Sequence, residues 1–203
     1  MTAPAAVDVA KAVSVLRGGG VIALPTDTLY ALTALASDAG AVARVYAIKG
    51  REGGKALPLF VSSVDMAERI AVLNPMALRL AGRFWPGALT IVLKKRSDFN
   101  SHALASGDTV ALRVPAHDLA RAVIDQLDAP VTATSANRSG GPDPVSAEEV
   151  RRQIGGEIDF ILDAGPCTGA VSSTIVDCSG LEPSILRPGA ISEAAILRAL
   201  LEE

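Results

Sequence analysis

Aromatic side chains are scarce in this chain of 203 residues, which carries four Phe, two Tyr and one Trp. Proteins that hold single-stranded nucleic acid by base stacking need several exposed rings. Here the rings sit beside apolar runs, as in Phe84-Trp85 and Phe160, and read as core. Cysteine is nearly as rare. Cys167 and Cys178 have no second pair, and His102 and His117 are the only imidazoles, so no zinc-site spacing can be assembled and no metal ligand set is expected. Both thiols are expected to be reduced and buried. No apolar run reaches the ~18 residues of a membrane span, and Met1-Thr2-Ala3-Pro4 has neither the basic start nor the apolar core of a signal peptide, so a cytoplasmic protein with no membrane contact is expected. An excess of positive charge is also missing. With 19 Lys plus Arg against 22 Asp plus Glu, the net charge of −3 argues against a generally basic nucleic-acid coat.

What is abundant is alanine, at 35 residues, within a chain that is 49% hydrophobic and 20% charged. That balance suits a folded protein, and the length suits one domain over residues 1–203. Apolar spacing predicts a helix over 7–16, ended by Gly18-Gly19-Gly20, and a strand over 21–24. These glycines close a helix, whereas a Walker loop opens one and carries Gly-Lys-Ser/Thr, so they read as a stop signal. Ser37 or Asp38 caps a helix running to about Ile48, followed by a strand over 57–61 and helices near 65–72 and 75–84. Strands are predicted at 88–93, 108–114, 130–134, 158–162, 174–176 and 184–186, with helices over 117–127 and 192–201. Ser146-Ala147-Glu148-Glu149 is a capping box that starts a further helix. Strands and helices alternate without a strict βαβ rhythm, which predicts a mixed, twisted sheet flanked by helices.

Polar and basic groups collect beside the short strands. Pro25-Thr26-Asp27-Thr28 offers two hydroxyls and a carboxylate, enough to hold a small zwitterion, and is equally an ordinary turn sequence. Lys49-Gly50-Arg51 and Lys55 form a glycine-rich, donor-rich segment suited to a polyphosphate, although cations also favour a helix C-terminus for electrostatic reasons alone. Arg113 and Arg187 each end a strand and precede Pro, positions from which two guanidinium groups can converge on an anion or simply face solvent. Thr134-Ser135-Ala136-Asn137 and Ser172-Ser173-Thr174 add hydroxyls and an amide. The chain has no Gly-x-Ser-x-Gly elbow and no His-Glu-x-x-His, and its two His read as a loop residue and a helix N-terminal residue. What remains is positioning plus electrostatics, the logic of phosphoryl or nucleotidyl transfer.

In order, Leu24-Pro25-Thr26-Asp27-Thr28-Leu29-Tyr30, Tyr46-Ala47-Ile48-Lys49-Gly50-Arg51, Lys55 with Pro58-Leu59, Phe84-Trp85-Pro86-Gly87, Thr109 to Pro115, Ala133 to Asn137, Ser173 to Asp177 and Leu186 to Gly189 resemble the YrdC family of threonylcarbamoyl-adenylate synthases. The resemblance runs from about Val13 to Leu197. It implies an α/β fold whose twisted mixed sheet encloses a concave, positively charged cavity. It also implies a nucleotidyltransferase that makes L-threonylcarbamoyl-AMP and pyrophosphate from L-threonine, bicarbonate and ATP, with Mg2+ held largely by the phosphates. The family's Lys-x-Arg and Ser-x-Asn signature falls on Lys49, Arg51, Ser135 and Asn137. Lys49 and Arg51 are thereby expected to be catalytic, and Thr26, Arg113, Ser135 and Ser173 to hold threonine or its carbamate. Lys49, Arg51, Lys55, Thr109, Asn137 and Arg187 are expected on ATP. A downstream threonylcarbamoyl transferase acting on tRNA is the implied partner, with tRNA itself at most a weak direct ligand. Three positions depart from the family pattern: Ala31-Leu32-Thr33 stands where Gly-Leu-Gly is usual, Ser172 where an acid is common, and Ala88 where Pro is frequent. An alternative reading is a non-catalytic RNA-binding or ribosome-associated paralogue. A third, a carbamoyl-transfer relative from hydrogenase maturation, lacks its companion zinc-finger and acylphosphatase segments.

Overall fold

The computed structural model describes residues 3–50, 55–104, 107–169 and 171–201. Helix α1 (Ala3–Arg17) packs its Val9, Val13 and Leu16 inward and stops where Gly19 takes a positive φ of 77°. The three glycines therefore turn the chain out of a helix, as their position predicts. Strand β1 (Ile22–Leu24) follows and is buried along its whole length, and β2 (Ala31–Thr33) folds back antiparallel to it. The sequence reading misses β2. Its three residues, Ala31-Leu32-Thr33, are too few to show alternation, and pairing with neighbours on both sides makes them a strand.

Helix α2 (Ala39–Lys49) is capped by Asp38, whose carboxylate accepts from the Ala41 N–H at 2.9 Å, and ends at Gly50 in the left-handed region with φ 62°. Next come β3 (Leu59–Phe60), α3 (Val64–Glu68), α4 (Pro75–Phe84), β4 (Leu89–Lys94), β5 (Thr109–Arg113) and α5 (Asp118–Leu127). Helix α3 stops earlier than its apolar spacing predicts, because Val72 already donates to Lys94 O and Ala71 bridges to Lys95 at the sheet edge. Then follow β6 (Val131–Thr132), β7 (Thr134–Ser135), α6 (Ala147–Ile154), β8 (Phe160–Ile161), β9 (Thr174–Asp177), β10 (Ser184–Arg187) and α7 (Glu193–Leu201). The capping box at α6 is half as expected. Ser146 Oγ accepts from the Glu149 N–H, while the Glu149 carboxylate reaches back to Val145 N rather than to the cap residue itself.

The strands form two mixed sheets rather than the single sheet expected, in the orders β7-β2-β1-β8 and β10-β9-β4-β5-β3-β6. The predicted strand over 130–134 is the joint between them. Val131 and Thr132 pair with β3 in the larger sheet, and Thr134 and Ser135 pair with β2 in the smaller one. Thr132 Oγ1 accepts from Ala34 N at 2.9 Å, which ties the sheets at the crossing. The core is aliphatic, with Tyr30, Phe60 and Trp85 its buried aromatics. Cys178 is buried, whereas Cys167 is only half-buried in the loop after β8, a correction to the expectation for both thiols. Among the described residues no helix is long and apolar enough to cross a membrane.

Candidate functional site

Strand ends set the site. The turn after β1, the end of β5, the start of β9, the end of β10 and strand β7 surround one cavity of about 420 Å³. Thr26, only 1% exposed, organises the turn through its hydroxyl, which accepts from Thr28 N and Leu29 N at 3.1 Å each and donates to Leu29 O at 2.7 Å. With those bonds made, Thr26 shapes the cavity wall rather than offering a free donor. Gly169 closes over this turn, where a Cβ would come within 2.6 Å of Asp27 O.

Behind the β7 wall lies Lys49, at the last position of α2 and 1% exposed. Its Nζ donates to Ser135 O at 2.7 Å, to Ser135 Oγ at 3.3 Å and to Asn137 Oδ1 at 2.5 Å. The Asn137 amide then donates to Gly141 O at 2.9 Å and Pro142 O at 3.2 Å, and to the Asp143 carboxylate at 3.2 Å. A buried ammonium thus orders the polar loop after β7 through one side-chain amide. Buried charges are retained when hydrogen bonds satisfy them, and this one is surrounded by oxygen acceptors.

On the opposite wall Arg113 is buried. Its Nε donates to Gly87 O at 2.8 Å, Nη1 to Thr28 Oγ1 at 3.0 Å and Nη2 to the Asp27 carboxylate at 2.7 Å, with the Phe60 ring centroid 5.7 Å away. Burial pushes the guanidinium below its ordinary pKa, against the opposing pull of Asp27, and Arg187 adds to the lowering by repulsion. Arg187 stands at the rim, donating from Nη2 to Ser173 O at 2.7 Å and Ser173 Oγ at 3.2 Å. Ser173 Oγ also shares a 2.8 Å hydrogen bond with Thr90 on the neighbouring β4. Gly189 makes this corner possible, because a Cβ there would meet Ser172 O at 2.4 Å and Ser173 C at 2.5 Å.

Of the sequence-predicted site residues, Thr26, Arg113, Ser135, Ser173 and Arg187 line this cavity, and Lys49 and Asn137 brace its wall. Lys55 is exposed and outside the lining, and its carbonyl accepts from the Tyr46 hydroxyl at 2.7 Å. Thr109 is at the far end of β5 from Arg113, next to a second, wider depression of about 560 Å³ lined by Lys95, Asn100, Ser101, His102 and Asp108. Arg51 lies outside the described residues. The departures Ala31 and Ser172 both line the cavity, and Ala88 contributes a carbonyl that accepts from Thr174 N at 3.0 Å. Sequence reasoning missed Thr90 and Asp143 as lining residues, and offered Thr28 only as one of the two hydroxyls of its turn. Thr90 reaches the site through the parallel pairing of β4 with β9. Asp27, read as a candidate ligand for a zwitterion, has its carboxylate engaged with Arg113 and with Ala116 N at 2.9 Å. Among the described residues no three His, Cys, Asp or Glu side chains gather to hold a metal ion.

A family model described as telomere recombination, Sua5/YciO/YrdC, matches residues 14–189. A threonylcarbamoyl-AMP synthase of Bacillus subtilis is 40% identical over 190 residues, covering 93% of this chain and 55% of the relative. One of Pyrococcus abyssi is 41% identical over 178 residues, covering 87% and 52%. The chain therefore spans about half the length of these two relatives. The crystal structure of P. abyssi Sua5 complexed with L-threonine superposes with a TM-score of 0.89 at 38% identity, over 94% of this chain and 56% of that one.

Proposed function

The chain belongs to the Sua5/YciO/YrdC family, and from that premise we propose that it is a threonylcarbamoyl-AMP synthase, converting L-threonine, bicarbonate and ATP to L-threonylcarbamoyl-AMP, pyrophosphate and water. One observation carries the reading. A single cavity gathers Arg113, Ser173 and Ser135, with Arg187 at the rim, and the buried Lys49 and Asn137 brace its Ser135 wall from behind. The names of relatives at 40 and 41% identity support catalysis over RNA binding alone, and the P. abyssi relative takes L-threonine.

Threonine would sit at the Arg113 end, its carboxylate on the guanidinium, with Thr26, Ser135 and Ser173 around its amine and the carbamate. The amine takes up bicarbonate with loss of water. A carbamate oxygen then attacks the α-phosphorus, and the bond from that phosphorus to the β-bridging oxygen breaks as pyrophosphate leaves. Lys49, Arg51 and Arg187 would oppose the charge growing on the leaving group, with Asn137 fixing Lys49. Lys55 and Thr109, both outside the cavity lining, would reach outlying parts of ATP. Magnesium, a hard cation, would be held largely by the phosphate oxygens of ATP and would offset part of their charge. The product would pass in the cytoplasm to a transferase acting on tRNA. Incubation with ATP, bicarbonate and labelled threonine is expected to release pyrophosphate only when threonine is present. Release without threonine, or none, overturns the proposal, and tight tRNA binding with a steep salt dependence but no ATP affinity supports the RNA-binding alternative.

A further inference from the structure

Two arginines share the cavity, yet their electrostatic settings differ. The Arg113 guanidinium meets the Asp27 carboxylate at 2.7 Å, with the two side chains only 5% and 15% exposed. Arg187 has no ion pair within 4.0 Å among the described residues; its hydrogen bonds go to the carbonyl and hydroxyl of Ser173. Asp143 is the carboxylate whose charge it feels, and that group accepts from the Asn137 amide. One end of the cavity is thus neutralised at close range, and the rim keeps its positive charge.

Asp27 also fixes direction. Its Oδ1 accepts from Ala116 N at 2.9 Å, so it straps the turn after β1 in one sheet to the chain leaving β5 in the other. Arg113 gives three of its five N–H groups to Gly87 O, Thr28 Oγ1 and Asp27. Two N–H groups remain without a partner among the described residues, the number a carboxylate takes in a forked contact.

We propose that Asp27 is a specificity-determining positioning residue, which cancels the charge of Arg113 so that this end of the cavity accepts the carboxylate of a net-neutral amino acid and rejects the phosphates drawn to the rim. The inference rests on the reading that threonine occupies the Arg113 end. A bare buried guanidinium would attract any anion, and multiply charged phosphates most strongly. A paired guanidinium still donates hydrogen bonds, but offers a polyanion little net attraction.

The test uses the full chain, with calorimetric titration of L-threonine and of inorganic pyrophosphate. For the wild type, pyrophosphate is expected to leave threonine binding unaffected. Asp27→Asn keeps an oxygen acceptor and removes the charge. It is expected to open the Arg113 end to phosphates, so that pyrophosphate binds at least tenfold more tightly and competes with threonine. A merely structural role would weaken both ligands together and create no new competition. No competition by pyrophosphate in Asp27→Asn overturns the proposal. Asp27→Glu, which keeps the charge one methylene further out, covers the case in which Asp27→Asn does not fold. It is expected to weaken threonine while still excluding pyrophosphate, and competition in that variant overturns the proposal equally. If wild-type protein binds no threonine, the synthase reading fails. The pyrophosphate titration still judges Asp27 then, since tighter pyrophosphate binding by Asp27→Asn supports the charge-cancelling role and unchanged binding overturns it.

Discussion

At the scale of single residues, Lys49 does two jobs that pull an experiment in different directions. It stands behind the β7 wall of the cavity, where it is proposed to act on ATP, and it is also the buried donor that satisfies Ser135 and Asn137. Loss of one charge-assisted contact is worth about 1.5–3 kcal/mol, a fall of roughly tenfold to more than a hundredfold in rate. Lys49→Ala is therefore expected to lose activity on at least that scale, and also to unfold at a lower temperature, because buried oxygens lose their donor and a void remains. Activity within twofold of wild type would count against its role. His117, the N-cap residue of α5, supplies a pH dependence. Its Nδ1 is buried with no hydrogen-bond partner among the described residues, and burial pushes its pKa below the ordinary 6.5 despite the pull of Asp118 and Asp27, with Arg121 adding to the lowering. The fold thus favours neutral His117. Its contribution is complete above the unfolded value and is lost as pH falls through the lower folded value. Melting scans are expected to show a larger fall between pH 7.5 and pH 5 for wild type than for His117→Gln, and equal falls would contradict this assignment.

At the scale of elements, caps and strand ends did most of the positioning, and they were unequally legible. Asp38, Asn74 and Ser146 each cap a helix through a side-chain oxygen, a local device that needs no tertiary information. The end of α2 is equally local. Gly50 takes the left-handed conformation, and so fixes where Lys49 is presented. The β10 corner is different, since Gly189 earns its place through a neighbour distant in sequence, the backbone of Ser172 to Thr174. Gly189→Ala is expected to cost about 1–3 kcal/mol by overpacking and to shift Ser173 and Arg187 together. Denaturant unfolding and threonine titration on the same variant would check both effects. An unchanged unfolding midpoint would show that the corner yields without strain. Strand β2 and the split of residues 131–135 between two sheets were not legible, because strands of two or three residues carry too little pattern to separate pairing partners.

At the scale of the whole molecule, the site exists only when both sheets are in place. Thr26, Asp27 and Ser135 come from around the smaller sheet, and Arg113, Ser173 and Arg187 from the larger one. A ligand bridging them stabilises the folded state as a unit. At a hundred times its dissociation constant, a ligand bound only to folded protein adds about 2.7 kcal/mol. For a chain of this size that is a rise of roughly 5–10 °C in Tm. ATP with threonine is expected to give a concentration-dependent rise of this kind, and differential scanning fluorimetry reads it directly. A Tm that does not respond would mean that neither ligand engages the folded chain. The sequence by itself determined the helix starts and stops, the alternation of strands and helices, and the motif positions that carry the family resemblance, because those depend on contacts within a few residues. Only the tertiary structure decided that Asp27 faces Arg113 across 86 positions of chain, that Lys49 is buried on Ser135 and Asn137, and that Lys55 and Thr109 stand outside the cavity. Pairing of charges and burial arise between segments remote in sequence, and a net charge of −3 carries no record of where each charge finds its partner.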